Sequence, residues 1–285
     1  MSMLLPVCYM LAGWLWGRWG GDGRQLASKI LSRYVIPVVI AWNVATQFTL
    51  MSVMLLASMA AMAIVFAIGR FIMRDVVQQL CLCYLNIGWL GLPIGSLLFG
   101  EQAASLMIAA YVGSSIFGNT LGAGLLSARR ISLQQLVMSP PLLSVAAGIL
   151  LIPAHAVLTT YATEVYGYAK LLMSILGMGI LGLWLSATRL QIKDVHSAVL
   201  STLYRIGLWA TLIVVTGIAI RCTGVVLTPA QWKTLLLISL LPPAANIIVL
   251  ETHYAGTGHS APTILWGTLI SLVLIAIYAT TLTLL

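Results

Sequence analysis

Ten stretches, each close to the length of a membrane-crossing helix and nearly free of charge, run through this chain and leave it few ways to fold. Their approximate limits are 2–17, 31–49, 52–73, 77–98, 103–126, 139–157, 168–188, 201–221, 232–253 and 262–285. About 20 apolar helical residues cross the ~30 Å hydrocarbon layer. Inside that layer every backbone N–H and C=O needs a partner from within the chain, which a helix supplies residue by residue. Composition agrees. Of 285 residues, 61% are hydrophobic and only 7% charged, and mean hydropathy is +1.05. A soluble domain is about half apolar and a quarter charged, and no globule of this size hides so much apolar surface. A soluble enzyme, a disulfide-stapled secreted domain and a disordered chain are excluded. The expected fold is all-α and integral to a membrane.

The net charge of +8 would suggest nucleic acid in a soluble protein, but the basic residues form no dense stripe and accompany no nucleic-acid motif. They instead orient the spans. With ten crossings, one side carries Arg18, Arg24, Lys29, Arg33, Arg70, Arg74, Arg129, Arg130, Arg189, Lys193 and Arg205, and the other only Lys170, Arg221 and Lys233, eleven against three. By the positive-inside rule the first set is cytoplasmic and both termini lie outside, as in a multi-pass protein of a bacterial inner membrane. No positive charge precedes the first apolar run, so residues 2–17 read as a retained helix rather than a signal peptide. Cys8, Cys81, Cys83 and Cys222 read as small packing groups. No cofactor motif is present, and His155, His196, His253 and His259 lack metal-site spacing.

The longest cytoplasmic connection after the first hairpin, 127–138, falls near the midpoint. It divides the chain into a first five-helix repeat, 1–126, and a second, 139–285. An odd number of spans per half makes the two halves opposite in orientation, a plan common among secondary transporters. Two spans carry breaks. The fourth reads Leu85-Asn86-Ile87-Gly88-Trp89-Leu90-Gly91-Leu92-Pro93-Ile94-Gly95, poor helix material, with Pro93 disfavouring helix at Leu92. The ninth reads Leu240-Leu241-Pro242-Pro243-Ala244-Ala245-Asn246. An offset of 155 residues sets Gly88 on Pro243 and Gly91 on Asn246. Broken backbone at membrane depth is tolerated only inside protein or beside water, and half-helix ends attract ions. Two breaks that cross near the midplane would make a small-ion site.

At these residues the chain resembles the auxin efflux carrier family. The run Asn86-Ile87-Gly88-Trp89-Leu90-Gly91-Leu92-Pro93-Ile94 is similar to that family's fourth-helix signature. Leu5-Pro6, Ser139-Pro140-Pro141-Leu142-Leu143, Pro242-Pro243-Ala244 and Tyr254-Ala255-Gly256 also fit. The sequence departs from the family at Thr257-Gly258-His259, where an acidic residue is common. The resemblance implies ten helices in two inverted repeats. A scaffold of helices one, two, six and seven would carry a transport domain of helices three to five and eight to ten. Crossing broken helices would hold a small organic anion, such as a mono- or dicarboxylate, and move it in elevator fashion. A homodimer through the scaffold would suit that movement.

Polar groups within spans are costly and frequently functional. Asn86 and Asn246 flank the breaks and either bind substrate or satisfy freed backbone. Asn43 either faces the site or caps the Pro37 kink. Tyr111, Ser115 and Asn119 recur on one helical face, and Tyr111 is placed to donate to a carboxylate. Glu251 follows the ninth-helix break and either carries a proton or ion or lies solvated at the cytoplasmic interface. The expected substrate-binding set is therefore Asn86, Gly88, Gly91, Pro93, Pro242, Pro243, Asn246, Asn43, Tyr111, Ser115 and Asn119. No lysine or arginine is expected at the midplane, so anion binding falls to amides and half-helix ends. Gly118 and Gly122 form a GxxxG pair. No nucleophile–base pair suggests an enzyme. The leading function is a permease for small organic anions. The alternatives are a sodium- or proton-coupled symporter of bile-acid-carrier type and a transport-inactive sensor or subunit.

Overall fold

The computed structural model describes residues 5–126, 134, 137–138, 140–187, 192–222, 224, 226–255 and 257–284. The linker 127–138, with Arg129 and Arg130, falls almost wholly outside them, as do Arg189 and Gly256. Among the described residues the chain is helical without a β-strand. Its α-helices are α1 (Leu5–Arg18), α2 (Arg24–Ile30), α3 (Ile36–Ile72), α4 (Val76–Cys83), α5 (Leu92–Phe117), α6 (Ala123–Leu126), α7 (Pro140–Leu151), α8 (His155–Tyr161), α9 (Thr163–Ala187), α10 (Ile192–Cys222), α11 (Pro229–Leu240), α12 (Asn246–Tyr254) and α13 (Ser260–Leu284).

Six helical stretches among the described residues are long and apolar enough to cross a membrane: Val53–Ile72, Gln102–Leu126, Leu142–Tyr161, Thr163–Ala187, Asp194–Cys222 and Ser260–Leu282. Four of the expected spans are missing from this set, for identifiable reasons. The first, α1, has only 14 residues. The second survives as the shorter apolar helix Arg33–Thr46. The fourth and ninth are each split by non-helical backbone. The six differ in depth. The most apolar window of Gln102–Leu126 is 82% buried and that of Leu142–Tyr161 only 11%, so the fifth expected span is central and the sixth peripheral.

Two expected spans, 31–49 and 52–73, fall on the 37-residue helix α3. No glycine or proline stands between Pro37 and Gly69 to interrupt it. Its two ends reach different neighbours. At 1.5 Å per residue a straight helix would set Ile36 and Phe66 about 45 Å apart. Ile36 shares a small cavity with Tyr111, whereas the Phe66 ring lies 6.4 Å from that of Phe117, only about 9 Å of helix beyond Tyr111. A reversal sits in α5 at Gly100, whose φ of 75° only glycine adopts readily. It folds 92–99 back against 101–117.

α1 and α9 lie in close contact along a line of glycines. A Cβ on Gly13 would collide with the Gly179 backbone, and one on Gly182 with the Met10 carbonyl oxygen. Below them the α1–α2 turn is tied by Arg24. Its guanidinium donates to Asp22 Oδ1 at 2.8 Å and Oδ2 at 2.7 Å and lies 4.6 Å from the Trp184 ring. The Arg24 hydrogen bonds hold the Asp22 carboxyl down at about 2. At the opposite end of α3, Asp75 caps α4 by accepting from Gln78 N at 3.2 Å. Asp75→Ala is expected to cost about 1 kcal/mol, read as a lower thermal midpoint. An unchanged midpoint would mean that this cap carries no stability.

The Gly118–Gly122 pair packs within the chain. A Cβ on Gly118 would collide with the Tyr84 ring, and one on Gly122 would meet Leu80 at 3.4 Å. Both glycines seat α4 within the protein. Cys81 and Cys83 are buried packing groups as expected, but Cys8 and Cys222 are exposed.

Candidate functional site

The fourth and ninth segments are both broken, and the breaks touch. Between α4 and the π-helical turn Ile87–Gly91, residues Tyr84–Asn86 are non-helical. Between α11 and α12, residues Leu241–Ala245 are non-helical. Leu85 and Pro243 form an isolated antiparallel bridge. Asn86 N donates to Pro242 O at 2.9 Å, and Ala244 N donates to Tyr84 O at 2.8 Å. This pattern draws its donors from Asn86 and Ala244 alone. Two adjacent prolines, which lack N–H groups, can therefore occupy the ninth-segment side without losing a bond. Proline also forces Leu241 into extended backbone (φ −67°, ψ 146°).

The fourth-segment break lies just before the glycines, not among them. Gly88 and Gly91 sit in the π-turn, and Leu92 is helical (φ −60°, ψ −50°), contrary to the expectation from Pro93. Pro93 falls in the first turn of α5, where a missing N–H is harmless and its fixed φ suits a helix start.

A small cavity opens beside the crossing. It is lined by Ile36, Tyr84, Leu85, Asn86, Gly88, Trp89, Tyr111, Ser115, Ala244 and Asn246. Five expected site residues thus converge: Asn86, Gly88, Tyr111, Ser115 and Asn246. Three glycines make room for the aromatic walls. A Cβ on Gly88 would sit 2.5 Å from the Tyr111 ring, and Cβ atoms on Gly118 and Gly177 would collide with the Tyr84 and Trp89 rings.

The polar groups divide into a satisfied set and an unsatisfied one. Asn246 Nδ2 donates to Asn119 Oδ1 at 2.7 Å and to the Tyr84 hydroxyl at 3.3 Å. Asn119 Nδ2 donates to Ser115 O at 2.9 Å and to the Tyr84 hydroxyl at 3.4 Å. These bonds staple the two breaks to the helix that follows Gly100. By contrast, Asn86 Nδ2, Tyr111 Oη and Ser115 Oγ are buried and make no hydrogen bond of good geometry. All three belong to residues that line the cavity.

The other expected residues lie elsewhere or act through backbone. Gly91 packs on the second break, where a Cβ would come 2.6 Å from Leu241 Cδ1. Pro242 contributes its carbonyl and Pro243 the bridge. Asn43 neither faces the cavity nor caps Pro37. Its Nδ2 donates to Val39 O at 2.7 Å, and its Oδ1 accepts from the Tyr166 hydroxyl at 2.9 Å, which joins α3 to α9. Glu251 is not solvated. It is fully buried and accepts from Thr257 Oγ1 at 2.7 Å, His259 N at 2.6 Å and Ser260 N at 2.9 Å. It thereby caps the start of α13.

Three residues escaped the sequence reading. Tyr84 and Trp89 were legible only as aromatics beside a break. Arg205, assigned to the cytoplasmic surface, is fully buried. Its Nη2 donates to Ser271 Oγ at 3.1 Å, and Trp209, one turn on, donates from Nε1 to Leu82 O at 3.0 Å. A buried cation therefore stands beside the crossing.

Neither a protein-family model nor a curated protein matches this chain. The fold and its apolar helices define an all-α, membrane-embedded protein.

Proposed function

We propose that this protein is a secondary carrier for small organic anions, which binds its cargo at the crossing of two broken helices and performs no chemical step on it. One observation carries the reading. Asn86, Tyr111 and Ser115, whose buried Nδ2, Oη and Oγ make no hydrogen bond of good geometry, line one cavity beside paired breaks in the backbone. A buried polar group without a partner costs about 1–3 kcal/mol. Each carboxylate oxygen accepts more than one bond, so a mono- or dicarboxylate relieves all three costs while it is bound.

The reading takes ten transmembrane helices in two inverted five-helix repeats, 1–126 and 139–285, set in a bacterial inner membrane with both termini outside. The reading counts the 37-residue α3 as two crossings, its second and third spans. The breaks in the fourth and ninth segments account for two more spans that no unbroken helix supplies. The division into scaffold and moving parts, implied by the family resemblance, has support in packing. α1 lies against α9 at Gly13 and Gly182, α3 against α7 where a Cβ on Gly148 would come 2.6 Å from Val44 Cβ, and α3 against α9 through Asn43 and Tyr166. The crossing sits between that group and the helices around Gln102–Leu126. A rigid displacement of one group past the other gives alternating access.

Uptake of labelled mono- and dicarboxylates into proteoliposomes tests the reading. Wild-type protein is expected to accumulate at least one of them. Asn86→Ala is expected to lower apparent affinity about tenfold, the size of one hydrogen bond to a charged group. Absence of transport of every anion, with Asn86→Ala indistinguishable from wild type in ligand binding, overturns it.

A further inference from the structure

Arg205 is one of the largest fully buried side chains in the protein. Only Nη2 has a partner, the Ser271 hydroxyl. Nε and Nη1 have none, and neither has the hydroxyl of Thr202, three residues earlier and also buried. The single ion pair among the described residues is the distant Asp22–Arg24. Glu251, the other buried charge, directs both carboxylate oxygens to Thr257, His259 and Ser260. An isolated guanidinium inside protein is among the most costly groups a fold can hold.

Its position gives that cost a use. Arg205 Nη1 and Pro243 Cδ both lie within 4 Å of where a Cβ on Gly267 would stand, at 3.6 and 3.1 Å. Pro243 is bridged to Leu85, and the next residue, Ala244, lines the cavity together with Leu85. The guanidinium therefore stands immediately behind the cavity wall. No carboxylate among the described residues lines that cavity, and the wall residues Leu85, Pro243 and Ala244 are themselves buried.

We propose that Arg205 is the charge-selecting residue of the crossing site, a fixed cation whose field makes the cavity prefer solutes carrying a carboxylate over neutral solutes of the same shape. It acts through the wall rather than by contact, so it is a positioning and specificity residue. This inference rests on the carrier reading for the identity of the site. The neutral donors of the cavity fix shape and hydrogen bonding, and Arg205 fixes the sign.

The test uses the full chain in detergent and in proteoliposomes, with benzoate and malonate against their neutral amides benzamide and malonamide as probes. Binding is read by thermal shift and transport by uptake. Arg205→Gln is expected to weaken anion binding about tenfold, the scale of one charge acting across a protein interior, while leaving amide binding within about twofold. Arg205→Lys is expected to keep most of the preference. Should Arg205→Gln fold poorly, Ser271→Asp sets a carboxylate beside the retained guanidinium and is expected to erase the preference equally. Anion preference unchanged in Arg205→Gln or in Ser271→Asp overturns the proposal, and so does Arg205→Lys behaving as Arg205→Gln. Wild-type protein that binds anions by preference without moving them removes the carrier reading and leaves the role of Arg205 standing. Transport that stays anion-selective in Arg205→Gln does the reverse. Wild-type protein that binds no anion of the panel overturns both.

Discussion

Leucine at Gly182 is expected to abolish the folded protein. α1 and α9 approach so closely that a single Cβ on Gly182 collides with the carbonyl oxygen of Met10 and comes 2.7 Å from Trp14 N. Backbone on one side and a helix on the other leave no flexible side chain to yield. In a bilayer, helices associate through such close packing because lipid is as apolar as leucine. Forcing the pair apart loses the whole contact line at Gly13, Gly17 and Gly182. The cost is about 3 kcal/mol or more for overpacking of this kind, a large share of the stability of a typical protein. Monodisperse yield after detergent extraction and the thermal midpoint are the readouts. Gly179→Ala is the control, since nothing lies within 4 Å of a Cβ there, and it is expected to behave as wild type. A Gly182→Leu protein of normal yield and midpoint would show that the α1–α9 contact is looser than described.

The second large effect belongs to Glu251. Replacing it with leucine removes the acceptor for Thr257 Oγ1, His259 N and Ser260 N together. Two of those donors, His259 N and Ser260 N, lie at the start of α13. Ser260 is buried, and leaving its N–H unpaired costs about 1–3 kcal/mol; the half-buried Thr257 and exposed His259 lose less, because water replaces part of their bonds. Glu251→Gln should fall between, because its amide keeps one acceptor oxygen but turns an NH2 toward an N–H donor. Thermal unfolding of the three proteins in one detergent measures the order. Equal midpoints for Glu251→Leu and wild type would show that the carboxylate is dispensable as a cap. In the carrier reading its engagement makes Glu251 a brace for the ninth segment rather than a free proton acceptor.

The two breaks were legible in the sequence because they are local. Two prolines at 242 and 243 and the glycine–proline set at 88–95 deny the backbone its helical bonds wherever the chain places them. The position of the fourth-segment break was read a few residues late. Proline is harmless at a helix start, and the glycines serve a different purpose, making room for the Tyr111 ring and the Leu241 side chain. Asn86, Tyr111 and Ser115 could be named beforehand because polar groups in apolar runs are few. Asn43 was misread because its two partners, Val39 and Tyr166, depend on which way one helix face turns.

Arg205 marks the limit of the sequence reading most sharply. An arginine near the end of an apolar span follows a statistical preference for the cytoplasmic surface. Only the packing of α10 against Gly267, Ser271 and the crossing puts it at depth. Glu251 is similar, since its cap partners lie six to nine residues away across a turn. By itself the sequence determined that the chain is helical and apolar enough for a membrane, and where two of its helices must break. Those are properties of backbone bonding and of solvent, settled residue by residue. Tertiary structure decided that the breaks pair with each other, which donors are left without partners and which buried charge stands behind them. Each of those depends on what a group meets across space, and spacing along the chain does not encode it.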